Sequence, residues 1–464
     1  MAIIENQNHV NNVINKDINK KNEGILVTIS FYFFGIATLI GTNSMLNQLN
    51  FVEYFQKRIN PFLSIVLLDN FSNVPLQLLI LIKDKLFNLK KQLIYSLIIL
   101  SISLILFPLV VILFMNNIIG NILTLVIAII IGVIGSSLKS GFYALGSFFP
   151  LSNIVSLSTG QGISGIVMAL LGLFIRYVVN SGNKKKDLEN GALIFFGISL
   201  LLSIITIFSL FYIYKSKYGK NYLLNNNNEI NNKEKNNNME KEHIKENLDS
   251  DSNKNKIIHY INKKNEEHHP INENSKDKEN SQNKKNINKE ISFINLFKLL
   301  KEVNILIFYN YVIAYALYPY ACKAQELFKT GEYRVNIIIL LYSCCNTIGR
   351  YIMKFFKPTK KKAYIIIFLR TLFLFTIIFN HYLYFSLNIN YKITSTLLAI
   401  NIVLFGVSNG FATSLCMGLA PTLLNDELKG KAGASVSFAM SLGSVVGSCI
   451  AFGIEKIMKN IGEL

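Results

Sequence analysis

The sequence predicts an all-α membrane protein with about eleven spanning helices, because apolar runs near the roughly 20 residues needed to cross a bilayer recur along it. Composition agrees: 51% of the 464 residues are hydrophobic and only 16% are charged. Soluble domains carry roughly 25% charged residues. The runs are also too long and too uniformly apolar for the two-residue alternation of a membrane barrel strand.

Residues 1–24 are hydrophilic and read as a cytosolic tail. The first run, Ile25–Gln48, has no small-residue cleavage site behind it and reads as a span rather than a secretory leader. Phe62–Lys83, Leu93–Met115, Ile118–Lys139, Phe148–Val179 and Ala192–Tyr214 complete a first block over residues 25–214. A second block, 293–464, holds Ile305–Gln325, Val335–Phe355, Ala363–Leu387, Ile393–Met417 and Ala432–Met458. Between them, residues 215–292 are dominated by Asn, Lys and Glu. Such a segment buries too little apolar surface to offset its chain entropy, so a disordered loop is expected. Its histidines, His243, His259, His268 and His269, are irregularly spaced, and no metal site is expected there.

The net charge of +19 does not point to nucleic acid, because Lys nearly cancels Asp and Glu within the loop. The excess lies beside the spans, where Lys and Arg set orientation. Lys16, Lys20 and Lys21 precede the first span; Lys83, Lys85, Lys90 and Lys91 follow the second; Lys354, Lys357, Lys360, Lys361 and Lys362 follow the eighth. With alternating spans all of these share the loop's side, although Lys184, Lys185 and Lys186 on the other side weaken the contrast. The N-terminus and the loop are expected in the cytosol and the C-terminus outside.

Chemistry-bearing motifs are missing from the sequence. Cys322, Cys344, Cys345, Cys416 and Cys449 all lie in apolar segments without metal or redox spacing and read as small buried hydrophobes. His381 has no partner at ligand spacing, and no P-loop, Gly-x-Ser-x-Gly or His-Glu-x-x-His pattern occurs. The expectation is a protein that is not an enzyme and uses no cofactor or metal.

Polar groups within the spans are costly and usually face a bundle interior or an aqueous cavity. Asn346 and Arg350 share a face of the eighth span, Asn43 and Asn47 a face of the first, and Asn73 and Gln77 a face of the second. Lys139 ends the fourth, Gln161 lies early in the fifth, Arg370 opens the ninth, and Asn401 and Asn409 lie in the tenth. Each has two readings, ligand contact or a bond between helices; Lys139 and Arg370 could also snorkel to the surface. Arg350 leads, because it is mid-segment, permanently charged and fork-shaped. Gly406 with Gly410, Gly443 with Gly447, and the cluster Gly160, Gly162 and Gly165 permit close helix approach. Pro319 should kink the seventh span.

These residues resemble one family. The stretch Gly141-Phe-Tyr-Ala-Leu-Gly-Ser-Phe-Phe-Pro150, then Ser158-Thr-Gly-Gln-Gly-Ile-Ser-Gly165, is similar to the fourth and fifth helices of equilibrative nucleoside transporters. Asn346-Thr-Ile-Gly-Arg350 resembles the family's Asp-x-x-Gly-Arg motif of helix eight, and Arg370 with Asn380 resembles helix nine. Ser408-Asn-Gly410, Ser414 to Met417, Pro421 and Ala432 to Ala434 match helices ten and eleven in order; Tyr318-Pro319 resembles helix seven, and Gly35 to Asn43 more weakly helix one. The Asn/Lys-rich insert suggests a protozoan-type member. The resemblance implies a major-facilitator-like bundle of two helical halves in the plasma membrane. It implies facilitated or proton-linked passage of nucleosides or nucleobases, purines foremost, by alternating access.

The expected substrate contacts are Arg350, Asn346, Asn43, Lys139, Thr42, Leu46 and Ser343. Gly162, Gly165, Pro319, Arg370, Asn409 and Gly410 are expected to serve packing or gating. Three positions depart from the family pattern: Asn346 replaces an Asp, Lys139 a Gln and Thr42 a Trp. The pocket should therefore be about two charges more positive, favour a nucleobase or partly anionic purine, and lack an obvious proton carrier. A carrier of another small solute, or a membrane scaffold whose loop recruits cytosolic partners, are the competing readings.

Overall fold

The computed structural model of the chain describes residues 2–56, 61–82, 88–179, 183–223, 293–323, 334–385, 390–424 and 428–460. Among them every regular element is helical. In order, α1 spans Ala2–Asn47, α2 Leu49–Phe55, α3 Pro61–Ile82, α4 Leu89–Leu113, α5 Ile118–Gly146, α6 Leu151–Val178 and α7 Lys184–Lys215. After the insert, α8 spans Phe293–Leu299, α9 Lys301–Lys323, α10 Arg334–Ile352, α11 Lys360–Phe385, α12 Tyr391–Thr422 and α13 Lys429–Asn460. Residues 224–292, most of the expected disordered loop, lie outside the described residues, as do the side chains of Pro319, Cys322 and His381.

Seven helices among the described residues are long and apolar enough to cross a membrane: they lie within α1, α4, α5, α6, α7, α12 and α13. The expected count of about eleven would also need α3, α9, α10 and α11. Three of these carry buried charges, Asp69 in α3, Arg350 in α10 and Arg370 in α11. Such residues depress hydropathy while serving the interior.

Asparagine sets several helix starts. Asn88, Asn117, Asn183 and Asn390 each accept a hydrogen bond from a backbone N–H one turn on, at 3.3, 3.2, 3.3 and 3.1 Å. Each cap contributes about 1 kcal/mol. Asn183 thereby starts α7 at Lys184, ahead of the Ala192 expected. The larger correction concerns α5, which does not end at Lys139 but runs on to Gly146. Lys139 therefore sits two turns inside the helix, half-buried, and does not snorkel from its end. The turn comes only at Pro150, which caps α6.

The bundle turns its apolar side outward. Ile98, Ile102, Ile105 and Leu109 make an exposed stripe on α4, and Phe368, Leu372, Phe375 and Phe379 make another on α11. Interior faces carry hydroxyls: Ser101 and Ser203 join α4 to α7 at 2.9 Å, and Ser96 donates to Ser137 at 2.9 Å. This polarity suits lipid, where polar groups bond helices together.

Two glycine seams occur in each half. In the first, α1 packs on α6 where Gly35 and Gly160 touch backbone to backbone, and α3 packs on α5 where Gly132 meets Asp69 and Ser72. In the second, α9 packs on α13 at Gly443 and Gly447, and α10 packs on α12 at Gly406 and Gly410. A Cβ on Gly410 would run into the carbonyl oxygen of Asn346, and one on Gly132 would lie 2.9 Å from that of Asp69. Asp69 and Asn346 thus hold like positions in the two halves.

Candidate functional site

The halves meet through hydrogen bonds centred on Arg350, which α10 carries into the bundle at 3% exposure. Its Nη1 donates to the Ser158 carbonyl at 2.8 Å, to Ser158 Oγ at 3.2 Å and to Gln161 Oε1 at 2.8 Å. Both acceptors belong to α6. Gln161 Oε1 also accepts from the Tyr143 hydroxyl at 3.1 Å, while its Nε2 donates to Thr38 Oγ1 at 3.1 Å. Ser158 Oγ lies 2.8 Å from Ser414 Oγ on α12. Arg350 Nε is buried without a partner. The expected substrate residue is therefore partly engaged by its own protein, through Nη1, while its Nε donor is unspent.

The halves pack closely beside the α5–α6 turn. A Cβ on Gly433 of α13 would lie 2.9 Å from Tyr143 Cβ, and one on Gly418 of α12 would lie 2.9 Å from a Leu151 methyl. Further along α6, Gly162 abuts Thr347 and Gly165 abuts Ser343, whose Oγ a Cβ would meet at 2.8 Å. Gly162 and Gly165 of α6 thus face Thr347 and Ser343 of α10, across the halves. Ser343 faces this seam.

A second network stays inside the second half. Arg370 is fully buried; its Nη1 donates to Asn409 Oδ1 at 2.9 Å, and its guanidinium lies 4.9 Å over the Phe405 ring. Asn409 Nδ2 donates to Asn346 Oδ1 at 3.1 Å, and Asn310 Nδ2 donates to Asn409 Oδ1 at 3.2 Å. Asn346 thus acts as a link between helices, with Asn409 and Gly410 on α12 holding it against α10. Burial excludes snorkelling for Arg370.

The third cluster brings α1, α3 and α5 together. Thr42 Oγ1 donates to both carboxylate oxygens of Asp69, at 3.1 and 3.2 Å. Lys139 on α5 lies within electrostatic reach of Asp69 and of Arg350. Asn43 Nδ2 donates to Ser164 Oγ at 3.0 Å, and Asn47 Nδ2 to the Asn43 carbonyl at 2.9 Å. Leu46 lies a turn along the same helix, half-buried. Asp69 corrects the electrostatic expectation: Lys139 and Arg350 do not share the interior without a carboxylate. Asp69 stood visible as an acid within an apolar run, but only the fold reveals Lys139 as its neighbour. Tyr143, Ser158 and Ser414 were likewise present in the matching motifs without a role assigned to them.

A sequence profile described as "Nucleoside transporter" matches residues 125–456. No curated protein matches the chain at a significant level. Among solved structures, the major facilitator proton:xylose symporter XylE bound to 6-bromo-6-deoxy-D-glucose is similar with a TM-score of 0.59 at 11% identity, over 95% of this chain and 90% of that one. The major facilitator transporter FucP in the outward conformation is similar with a TM-score of 0.51 at 13% identity, over 94% of this chain and 92% of that one. At such identities the likeness concerns the fold, an all-α multi-pass bundle of the major facilitator kind. The profile spans well over half of the 464 residues, and the chain belongs to the nucleoside transporter family.

Proposed function

We propose that the protein carries nucleosides and nucleobases, purines foremost, across the plasma membrane by alternating access. In this reading about eleven helices span the bilayer, the N-terminus and the segment around 224–292 are cytosolic, and the C-terminus is outside. The observation that carries it is the bridge from Arg350 to Ser158 and Gln161. It joins the halves through neutral acceptors, so it can break and re-form, and it holds a cation where a ligand's carbonyl or hydroxyl oxygens would compete for it. The closed end at the α5–α6 turn is then the cytosolic gate, with Tyr143, Leu151 and Ser158 on one side and Gly433, Gly418 and Ser414 on the other.

Family membership supports the substrate class, and the three departures bear on rank within it. Asn346 is committed to Asn409 rather than to a ligand, and Thr42 to Asp69. Among the expected contacts, the charged groups that could meet a base are Arg350, whose Nε is unpartnered, and Lys139. Both are donors, which suits the carbonyl oxygens of hypoxanthine-type bases better than the amino group of adenine. Uptake of labelled hypoxanthine, inosine, adenosine, uridine and a hexose, in cells stripped of their own carriers, tests this. Hypoxanthine or inosine should lead; a hexose that outranks every purine sinks the reading.

A further inference from the structure

We propose that Asp69 is a proton-binding site of the transport cycle, and that its protonation frees Lys139 to hold a ligand's oxygen atoms. The inference rests on the carrier reading above and adds to it the site where the proton binds.

Asp69 lies on α3 inside the bundle at 5% exposure. An acid in a membrane interior is retained where it pairs, relays protons or lines an ion path. It stands against the small residue of α5, where a Cβ on Gly132 would lie 2.9 Å from the Asp69 carbonyl oxygen and 3.0 Å from its Oδ1. Its like position in the second half is Asn346, which cannot change charge and is held by Asn409. At this pair of positions the first half holds a titratable group and the second does not.

The groups facing Asp69 come from each element packed on α3. From α1 Thr42 donates its hydroxyl; from α5 Lys139 supplies a cation; from α13 Ser448 accepts from the neighbouring Asn70 at 3.3 Å. Tyr315 of α9, beside Ser444 of α13, is within electrostatic reach of Asp69, and Tyr311 is its stacked neighbour at 6.0 Å. The short α2 brings Glu53, which points to solvent. Lys139 is thus the cation that answers Asp69, and Arg350 is the second cation acting on Lys139.

Charge balance supplies the coupling. With Asp69 ionised, the attraction of Lys139 to it opposes the repulsion from Arg350. When the carboxylate takes a proton from hydronium, one O–H bond forms on the carboxyl and one breaks on hydronium, which leaves as water. Lys139 then faces Arg350 without a counter-charge, a state that a ligand's electron-rich oxygens relieve. Proton and ligand therefore each favour the other's binding, as linkage requires. Release of the ligand restores the ion attraction and expels the proton to water.

The test uses the full-length carrier in sealed proteoliposomes holding a pH-sensitive dye. Addition of hypoxanthine outside should acidify the lumen, and uptake should rise as outside pH falls, by at most roughly tenfold per pH unit for one titrating carboxylate. Asp69→Asn should flatten that profile and abolish the acidification, whatever uptake remains. Should Asp69→Asn not assemble, the pair variant Asp69→Asn with Lys139→Gln removes both charges together and should give the same flat profile. Purine uptake by the unaltered protein without acidification overturns the inference and leaves the carrier reading intact. So does a variant that keeps the original pH profile. Failure of the unaltered protein to carry any purine instead removes the carrier reading itself.

Discussion

Replacing Gln161 by Leu keeps the side chain's bulk and removes three hydrogen bonds of different kinds. Its Oε1 accepts from Arg350 at 2.8 Å and from Tyr143 at 3.1 Å, and its Nε2 donates to Thr38 at 3.1 Å. Thr38 and Tyr143 belong to the first half, as Gln161 does, so those bonds move with it and persist whether the halves are joined or parted. Only the Arg350 bond is made in one state and lost in the other. A hydrogen bond to a charged group contributes about 1.5–3 kcal/mol, so the joined state should lose roughly a ten- to hundredfold advantage. A cysteine at position 414 reports this, because Ser414 is 1% exposed and sits at the junction. In a Ser414→Cys background, maleimide labelling at that position, read by peptide mass spectrometry, should speed up roughly ten- to hundredfold on adding Gln161→Leu. Tyr143→Phe, which removes a bond within one half, should leave the labelling rate within about twofold while lowering thermal stability by about 1 kcal/mol. Equal acceleration by both variants, or by neither, would refute the assignment of the Arg350 bond to the moving junction.

Four further outcomes follow from the same geometry. Cysteines in place of both Ser158 and Ser414, whose hydroxyls lie 2.8 Å apart, should form a disulfide that stops uptake until reductant is added; uptake by the cross-linked protein would mean this end stays shut throughout the cycle. Gly410→Ala places a methyl against the Asn346 carbonyl and 2.8 Å from Arg350 N, and since backbone cannot yield, it should cost about 1–3 kcal/mol in detergent melting. Gly197→Ala, with nothing within 4 Å, should instead stabilise α7 by about 0.5–1 kcal/mol. Arg370→Lys keeps the charge but loses the flat face that lies 4.9 Å over Phe405, and melting should fall by about 1–2 kcal/mol; an unchanged melt would show the stacking contributes nothing.

Hydropathy and small-residue spacing made the bundle legible, because both are local properties of a helix face. Helix ends were less so: α5 passes Lys139 without a break, since Ser140, Gly141 and Ala144 are tolerated in a packed helix and only Pro150 forces a new start. The Gly406 and Gly410 pair foretold a close seam but not its partner, which is the Asn346 turn of α10. Partnerships were the least legible. Arg350 bonds to Ser158 across 192 positions and Asn409 to Asn346 across 63, and no periodicity encodes the register between such distant helices. Asp69 shows the same limit. One acid in an apolar run signals function, yet its bond to Thr42 and its nearness to Lys139 depend on how α1, α3 and α5 cross.

The arrangement of buried polar groups separates what must stay joined from what must part. Arg370, Asn409, Asn346 and Asn310 bond to one another inside the second half, and Thr38, Gln161 and Tyr143 do so inside the first. These bonds stay within one half, so each half can keep them while it moves as a body in lipid, where a lost one would cost several kcal/mol. The bonds that cross between halves are of another kind: Arg350 to Ser158 and Gln161, Ser158 to Ser414, and Asn70 to Ser448. All of them end on neutral oxygens. Breaking a buried ion pair by removing a partner costs about 3–5 kcal/mol, more than a carrier can concede at every turn of its cycle. Asn346 belongs to the same logic. A carboxylate there, one turn from Arg350, would give the guanidinium a permanent counter-ion within its own half. The amide withholds one, and the guanidinium bonds instead to Ser158 and Gln161 of the opposite half.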